Sequence, residues 1–277
     1  MSKIVTTVAE LRTALATVRG DGSRIGLVPT MGALHDGHVS LVSQARKQAD
    51  AVVVSIFVNP AQFAPHEDFD AYPRTLDKDL EKLGGQADIV FTPRAREIYP
   101  DGHATTISVA GPSMGLESDF RPHFFAGVAT VVAKLLIAAT PDIAMFGEKD
   151  YQQLLVVQRL VRDLALPVTI IGAPTLREPD GLAMSSRNAY LSAAERQVAG
   201  RLNVILGDAA AQARLGDLRG AEARAIEALW AAGFNHVDYV AIRDAQTLDH
   251  IVALERPARI LAAVKIGKTR LIDNMAL

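Results

Sequence analysis

An α/β fold is expected, with a Rossmann-like, doubly wound parallel sheet followed by a smaller C-terminal α+β domain. Three observations predict it. Strand-length apolar runs alternate with helically spaced segments up to about residue 171, the pattern that right-handed βαβ crossovers generate. The run 51–58, Ala-Val-Val-Val-Ser-Ile-Phe-Val, is almost continuously apolar and β-branched, as suits a strand covered on both faces. After about residue 176 the chain changes character, to alanine-rich helices followed by alternating strands.

Taken in order, Val8, Leu11, Leu15 and Val18 recur at helical spacing, and Gly20 and Gly22 end that helix. The first parallel strand is expected over 25–29, broken by Pro29. A turn through Gly32 reaches His35 and His38, and Val39, Leu41, Val42 and Ala45 then give a short amphipathic helix ending near Asp50. Asn59 and Pro60 stop the run 51–58. Thr75 is the expected N-cap of a helix over 75–83, with Asp77 in its first turn and Gly84 past its end. Segments 89–91 and 105–109 read as strands, 125–139 as an apolar helix and 143–146 as a buried strand. A helix over 151–164, closed by Pro167, leads to a strand at 168–171.

Beyond this, Ser192 and Glu195 form a capping box that opens an alanine-rich helix. A second such helix spans 219–232 and stops at Gly233. Segments 236–242, 260–264 and 269–273 alternate like strands of a small antiparallel sheet. With no internal repeat or low-complexity linker, the expected division is 1–176 and 177–277, closely packed.

Composition narrows the function. The 277 residues are 49% apolar, enough for a substantial core. A net charge of −2 argues against a broad nucleic-acid or membrane-binding face. With no cysteine, disulfides, thiolate metal sites and cysteine nucleophiles are excluded, and a reducing compartment fits. Neither a signal-peptide core nor a bilayer-length apolar run is present, so a cytoplasmic protein is expected.

In open parallel sheets, ligands sit beyond the carboxyl ends of the strands. Four polar stretches belong there or at the domain junction: His35-Asp36-Gly37-His38; Asn59 to Gln62; Gly147-Glu148-Lys149-Asp150, with Gln153 one turn on; and Met184-Ser185-Ser186-Arg187. At a helix start, free N–H groups and the helix dipole favour phosphate. Two imidazoles at that point suit chemistry on a nucleotide triphosphate. Helix capping and a zinc pair are the competing readings, but helical zinc pairs prefer four-residue spacing and need a third ligand. The helix dipole lowers an imidazole pKa and bound phosphate raises it, which leaves the charge state open. Lys149 offers a point charge, the Ser-Ser-Arg run a phosphate clamp, and Asn59 and Gln62 neutral hydrogen bonds. Arg121 reads either as an anion anchor or as a surface arginine.

Together these stretches resemble the pantothenate synthetase (pantoate–β-alanine ligase) family. The carrying segments are 29–38, 57–63, 146–153 and 180–188, in matching order and spacing. The His-Asp-Gly-His and Met-Ser-Ser-Arg pieces also look like the two ATP signatures of the wider nucleotidyltransferase superfamily. The resemblance implies an ATP-dependent ligase working in two steps through pantoyl adenylate, with release of pyrophosphate and then AMP. By position it implies that Met31, Gly32, Ala33, Leu34, His35, Asp36, Gly37 and His38 line ATP. Gly147, Glu148, Lys149, Asp150, Leu176, Met184, Ser185, Ser186 and Arg187 would do so as well. His38, His35, Lys149, Ser185, Ser186 and Arg187 are implied to be catalytic. Pro29, Thr30, Met31, Asn59, Gln62 and Gln153 are implied to hold pantoate and β-alanine, and Arg121 is a further candidate. Mg²⁺ is expected on phosphate oxygens and water rather than on a protein cage, and a homodimer is implied. The C-terminal domain is expected to close over ATP as a lid. One departure is visible: many members carry Arg-Pro-x-His-Phe, whereas here Phe124 holds the usual histidine position and His123 lies one place early. Neither is given a catalytic role. The alternatives are another nucleotidyltransferase, which would stop at nucleotidyl transfer, and a non-catalytic nucleotide sensor.

Overall fold

The computed structural model describes residues 2–20, 22–64, 67 and 69–277. A six-stranded parallel sheet forms the larger part. Its strands are β1 (Lys3–Val5), β2 (Ile25–Thr30), β3 (Ala51–Ile56), β4 (Ile89–Phe91), β5 (Ile143–Gly147) and β6 (Thr169–Ala173), in the order β1-β4-β3-β2-β5-β6. All pairings are parallel. From β2 the chain winds one way to β3 and β4, and then returns to place β5 on the other side of β2. That reversal opens a crevice at the carboxyl ends of β2 and β5.

Alternation within the strands divides the core. Val53, Leu27 and Phe91 face one layer, packed by α1 (Val8–Arg19), α6 (Phe124–Ala139) and α7 (Tyr151–Asp163). Val52, Val54 and Val28 face the other, with α2 (Asp36–Arg46) and the end of α3 (Leu76–Leu83). Both faces being covered explains why these strands read as unbroken apolar runs. Short helices α4 (Ala95–Ile98) and α5 (Glu117–Phe120) lie in the connection before α6. No helix among the described residues is long and apolar enough to cross a membrane.

The second part packs α8 (Ala193–Ala199), α9 (Arg201–Ala213) and α10 (Leu218–Ala232) on an antiparallel sheet of β7 (His236–Asp244), β8 (Ala258–Ile266) and β9 (Thr269–Ala276). The capping box is present, with the Ser192 hydroxyl accepting from Glu195 N–H and the Glu195 carboxylate accepting from Ser192 N–H.

Several elements differ from expectation. The first parallel strand does not stop at Pro29. It runs on to Thr30, whose hydroxyl donates to Ser55 O at 2.8 Å and whose carbonyl accepts from Phe57 N–H at 3.0 Å. The helix after His38 ends at Arg46, four residues short of Asp50. Segment 105–109 is not a strand within this chain; the link to the core that its backbone makes is Ile107 N–H to Thr130 Oγ1 at 2.9 Å. The alanine-rich helix breaks at Gly200 into α8 and α9. A Cβ there would lie 2.5 Å from the Asp180 carboxylate, so a close approach requires glycine. Strand β1, unsignalled by its three residues, is held at the sheet edge by β4.

Candidate active site

The crevice at the β2–β5 reversal opens into a cleft of about 1250 Å³ bounded on the far side by the C-terminal sheet. Most of the expected site residues line it: Pro29, Thr30, Met31, His35, Gly37, His38, Asn59, Gln62, Gly147, Lys149, Asp150, Gln153, Leu176, and Met184 to Arg187. Gly32, Ala33, Leu34, Asp36 and Glu148 do not. Leu34 is buried in the core, Asp36 pairs outward with Lys82 at 2.8 Å, and Glu148 pairs with Arg259 at 3.1 Å. These five belong to the turns beside the cleft and do not line it.

The turn from β2 to α2 is built on a residue that the sequence reading missed. Asp79, on α3, is buried at 2% exposure, and its carboxylate accepts from Ala33 N–H at 3.1 Å and Leu34 N–H at 2.7 Å. Gly32 and Ala33 both have positive φ, and a carboxylate bridging their neighbouring amides holds this unfavourable turn in place. His35 is the N-cap of α2. Its N–H donates to His38 Nδ1 at 3.3 Å, and the two rings lie with centroids 4.0 Å apart, tilted by 39°. A ring whose Nδ1 accepts carries its proton on Nε2 when neutral, so His38 presents an Nε2–H. His35 Nδ1 is buried without a partner; an unmet lone pair costs less than an unmet N–H, which places that proton on Nε2 as well. Gly37 makes room for the pair, since a Cβ there would lie 2.8 Å from the His35 ring.

Burial, then the adjacent Lys149 ammonium, pushes the His35 pKa down to about 4. Burial, then His35 and Lys149, pushes His38 down to about 3. Both shifts favour neutral rings at pH 7. An unfolded imidazole titrates near 6.5. Between about pH 4 and pH 6.5 the unfolded chain thus binds more protons than the folded one, and stability falls as pH drops through that window. Urea unfolding at about pH 7 and about pH 5 is expected to show this loss, and His38→Gln is expected to reduce it. An equal loss in the variant would place the titration elsewhere.

At the other end of the cleft, Asn59 is fixed on three sides. Its Nδ2 donates to Gly127 O at 3.1 Å and Gln62 Oε1 at 2.9 Å, while Oδ1 accepts from Tyr99 OH at 2.7 Å. Gln62 Oε1 accepts from Asn59, and Gln62 lines the cleft. Gly127 on α6 permits this, because a Cβ would lie 2.3 Å from Ala61 O. Gln152 is turned inward, its amide accepting from Glu117 N–H and donating to the carbonyls of Pro112 and Gly115, while its neighbour Gln153 lines the cleft.

Arg121 also lines the cleft, but its guanidinium is taken up by protein. It donates to both Glu67 carboxylate oxygens at 2.7 and 2.8 Å, to Glu117 at 3.2 Å and to Gln62 O at 2.9 Å, and it lies 4.0 Å from the Phe124 ring centroid. It buttresses Gln62 and is not an open anion anchor. Phe124 lines the cleft whereas His123 does not. Ser185 caps a short 3-10 helix, Ser186–Tyr190, its Oγ accepting from Arg187 N–H at 3.2 Å, and Ser186 Oγ meets Tyr72 OH at 3.2 Å.

Donors that suit phosphate gather at one end of this cleft and neutral amides at the other. That is the division of labour of an α/β enzyme that uses a nucleotide to activate a small polar substrate. Comparison with known proteins gives the particular kind: the chain belongs to the pantoate–β-alanine ligase family, whose model matches residues 3–276. It is 59% identical over 275 residues to the pantothenate synthetase of Mesorhizobium japonicum, covering 99% of this chain and 97% of that one. It is 55% identical over 279 residues to the pantothenate synthetase of Caulobacter vibrioides, covering 99% and 98%. Among solved structures it resembles pantothenate synthetase from Thermus thermophilus, with a TM-score of 0.92 and 46% identity over 99% and 98% of the two chains. It also resembles pantoate–β-alanine ligase from Francisella tularensis, complexed with β-γ ATP and β-alanine, with a TM-score of 0.82 and 35% identity over 99% and 97%.

Proposed function

We propose that the chain joins pantoate to β-alanine at the expense of ATP, through enzyme-bound pantoyl adenylate. A pantoate carboxylate oxygen attacks the α-phosphorus, the bond to the β-phosphate oxygen breaks, and pyrophosphate leaves. The β-alanine amine then attacks the acyl carbon, loses a proton, and expels AMP to leave the amide. Adenylation is needed because a bare carboxylate has no good leaving group. The observation that carries this reading is the convergence of two neutral imidazole N–H donors, Lys149 and the Ser185–Arg187 turn on one cleft whose other end is lined by Asn59, Gln62 and Gln153.

In this reading ATP lies along the turn from Met31 to His38, the Gly147–Asp150 turn and Met184 to Arg187, with adenine at Leu176. His38 Nε2–H, His35 and Lys149 meet charge growing on the departing pyrophosphate, and Ser185, Ser186 and Arg187 hold the phosphates from the opposite side. Pro29, Thr30 and Met31 form the floor for pantoate, and Gln62 Nε2–H and Gln153 bind its polar groups, with Gln62 also near β-alanine. Among the described residues no group of three His, Asp or Glu gathers to hold a metal. Mg²⁺ would arrive on ATP phosphate oxygens and water, where it would offset triphosphate charge.

Residues 1–176 form the ATP- and pantoate-binding domain and 177–277 a lid that closes over it. The active species is a cytoplasmic homodimer. Support for a second copy comes from segment 105–109, which has strand composition but no strand partner among the described residues.

Mixing the protein with ATP, pantoate and β-alanine is expected to yield AMP, pyrophosphate and the amide in equal amounts. ADP and phosphate as products would overturn the adenylate, and no ATP consumption would leave a nucleotide sensor. Gln62→Ala is expected to raise the KM for pantoate by about tenfold or more, the cost of a lost hydrogen bond to a charged group. The KM for ATP should stay within about twofold. Unchanged pantoate dependence in initial-rate assays would remove Gln62 from that pocket.

A further inference from the structure

We infer that the adjacent residues Asp273 and Asn274 on β9 are positioning residues for the ATP site, holding its two phosphate-facing segments at a fixed separation. The inference deepens the proposed function and rests on its assignment of Lys149 and Ser185–Arg187 to phosphate.

Asn274 is buried at 3% exposure. Its Nδ2 donates to two successive carbonyls of the Lys149 turn, Glu148 O and Lys149 O, at 2.9 Å each. Its Oδ1 accepts from Arg259 Nη1. Arg259 in turn reaches the same turn, donating to Glu148 Oε2 at 3.1 Å, with its guanidinium 3.7 Å from the Tyr151 ring centroid. The amide is thus held at both ends, and it pins the backbone that carries Lys149.

Asp273 serves the other segment. Successive side chains of a strand point to opposite faces, so neighbours on one strand can grip two different segments. Its carboxylate, with no exposed side-chain surface, accepts both terminal nitrogens of Arg177, at 2.7 and 3.0 Å. Arg177 donates onward to Gly181 O at 3.0 Å. Arg177 pairs with Ala183 as an isolated antiparallel bridge, and Met184 N–H bonds Leu176 O at 3.0 Å. The stretch from Leu176 to Met184 is therefore a pinned hairpin that delivers Ser185–Arg187. Without β9, each half of the phosphate site would hang from its own loop. A shift of an ångström in such a group is enough to lower a rate by about a hundredfold.

A double-mutant cycle separates positioning from domain packing. Binding of a β,γ-non-hydrolysable ATP analogue is measured by calorimetry for the parent, Asn274→Ala, Lys149→Ala and the double variant. Asn274→Ala is expected to weaken binding about tenfold in the parent and less than about twofold once Lys149 is absent, because neighbouring effects that act through one group do not add. In parallel, single-turnover pyrophosphate release is expected to fall at least about tenfold in Asn274→Ala, with the KM for pantoate within about twofold. Equal losses in both backgrounds, or a matching rise in the pantoate KM, would overturn the inference. Should Asn274→Ala fail to fold, Asn274→Asp decides: it keeps the volume and sets a carboxylate against the two carbonyls, so analogue binding must fall, and unchanged binding is equally fatal. If the parent binds the analogue but releases no pyrophosphate with pantoate, the proposed reaction fails while the binding cycle still judges the positioning.

Discussion

His38→Ala is expected to slow pyrophosphate release from ATP and pantoate by about 10²–10³-fold, the usual effect of removing one donor aimed at developing charge. His35 N–H donates to His38 Nδ1, so the N–H of the neutral ring sits on Nε2, and His38 lines the cleft. Burial beside Lys149 keeps the ring from charging, and its donor is set before ATP arrives. The loss should fall on the rate of adenylate formation, with the capture of preformed adenylate by β-alanine changed far less, since the pyrophosphate has then gone. Rapid-quench measurement of pyrophosphate checks this. Normal release in the variant would remove His38 from the step. The variant also strands the His35 N–H, at a cost to stability of about 1 kcal/mol, and thermal unfolding measured alongside separates the two effects.

Lys149→Ala is expected to have the second large effect, lowering pyrophosphate release by about 10²-fold and raising the KM for ATP. Its ammonium lowers the pKa values of both imidazoles and lines the same cleft, so under the proposed function a triphosphate there would meet all three groups together. Lys149→Arg is expected to recover little, because a planar fork does not replace a compact ammonium on a backbone held by Asn274. Lys149→Ala should also raise the pKa of His35, since one of the charges that lowers it is gone. Titration of the His35 ring protons by NMR reads that shift directly, independent of activity. An unmoved His35 would show that the ammonium does not face the rings in solution.

Much of this site was legible in the chain itself because it follows from local pattern. Strands β3 and β5 read as strands since both faces are covered, and the polar residues just after β2, β3 and β5 had to fall at the carboxyl edge of the sheet. His38, Lys149, Asn59 and Gln62 were found that way. Ser185 and Arg187 came with the turn that precedes the Ser192 capping box. What was not legible depends on contacts distant in sequence. Asp79 is an ordinary acidic residue near a helix start until the fold brings it to amides 45 and 46 residues away. Asn274 reaches carbonyls 125 and 126 residues distant. Arg121 looked like a free cation because Glu67, which takes its guanidinium, is 54 residues upstream. Segment 105–109 has β-branched residues but no strand beside it among the described residues, and composition alone cannot supply a partner. Local pattern thus located groups that line the cleft, while the groups that hold them in place needed the tertiary structure.

The adenylate itself is tested most directly by following oxygen. Pantoate labelled with ¹⁸O in its carboxylate is turned over with ATP and β-alanine, and the products are weighed by mass spectrometry. Attack on the α-phosphorus followed by amine attack on the acyl carbon requires one ¹⁸O to appear in AMP, with pyrophosphate unlabelled. Unlabelled AMP, or label in phosphate released alongside ADP, would contradict an adenylate intermediate.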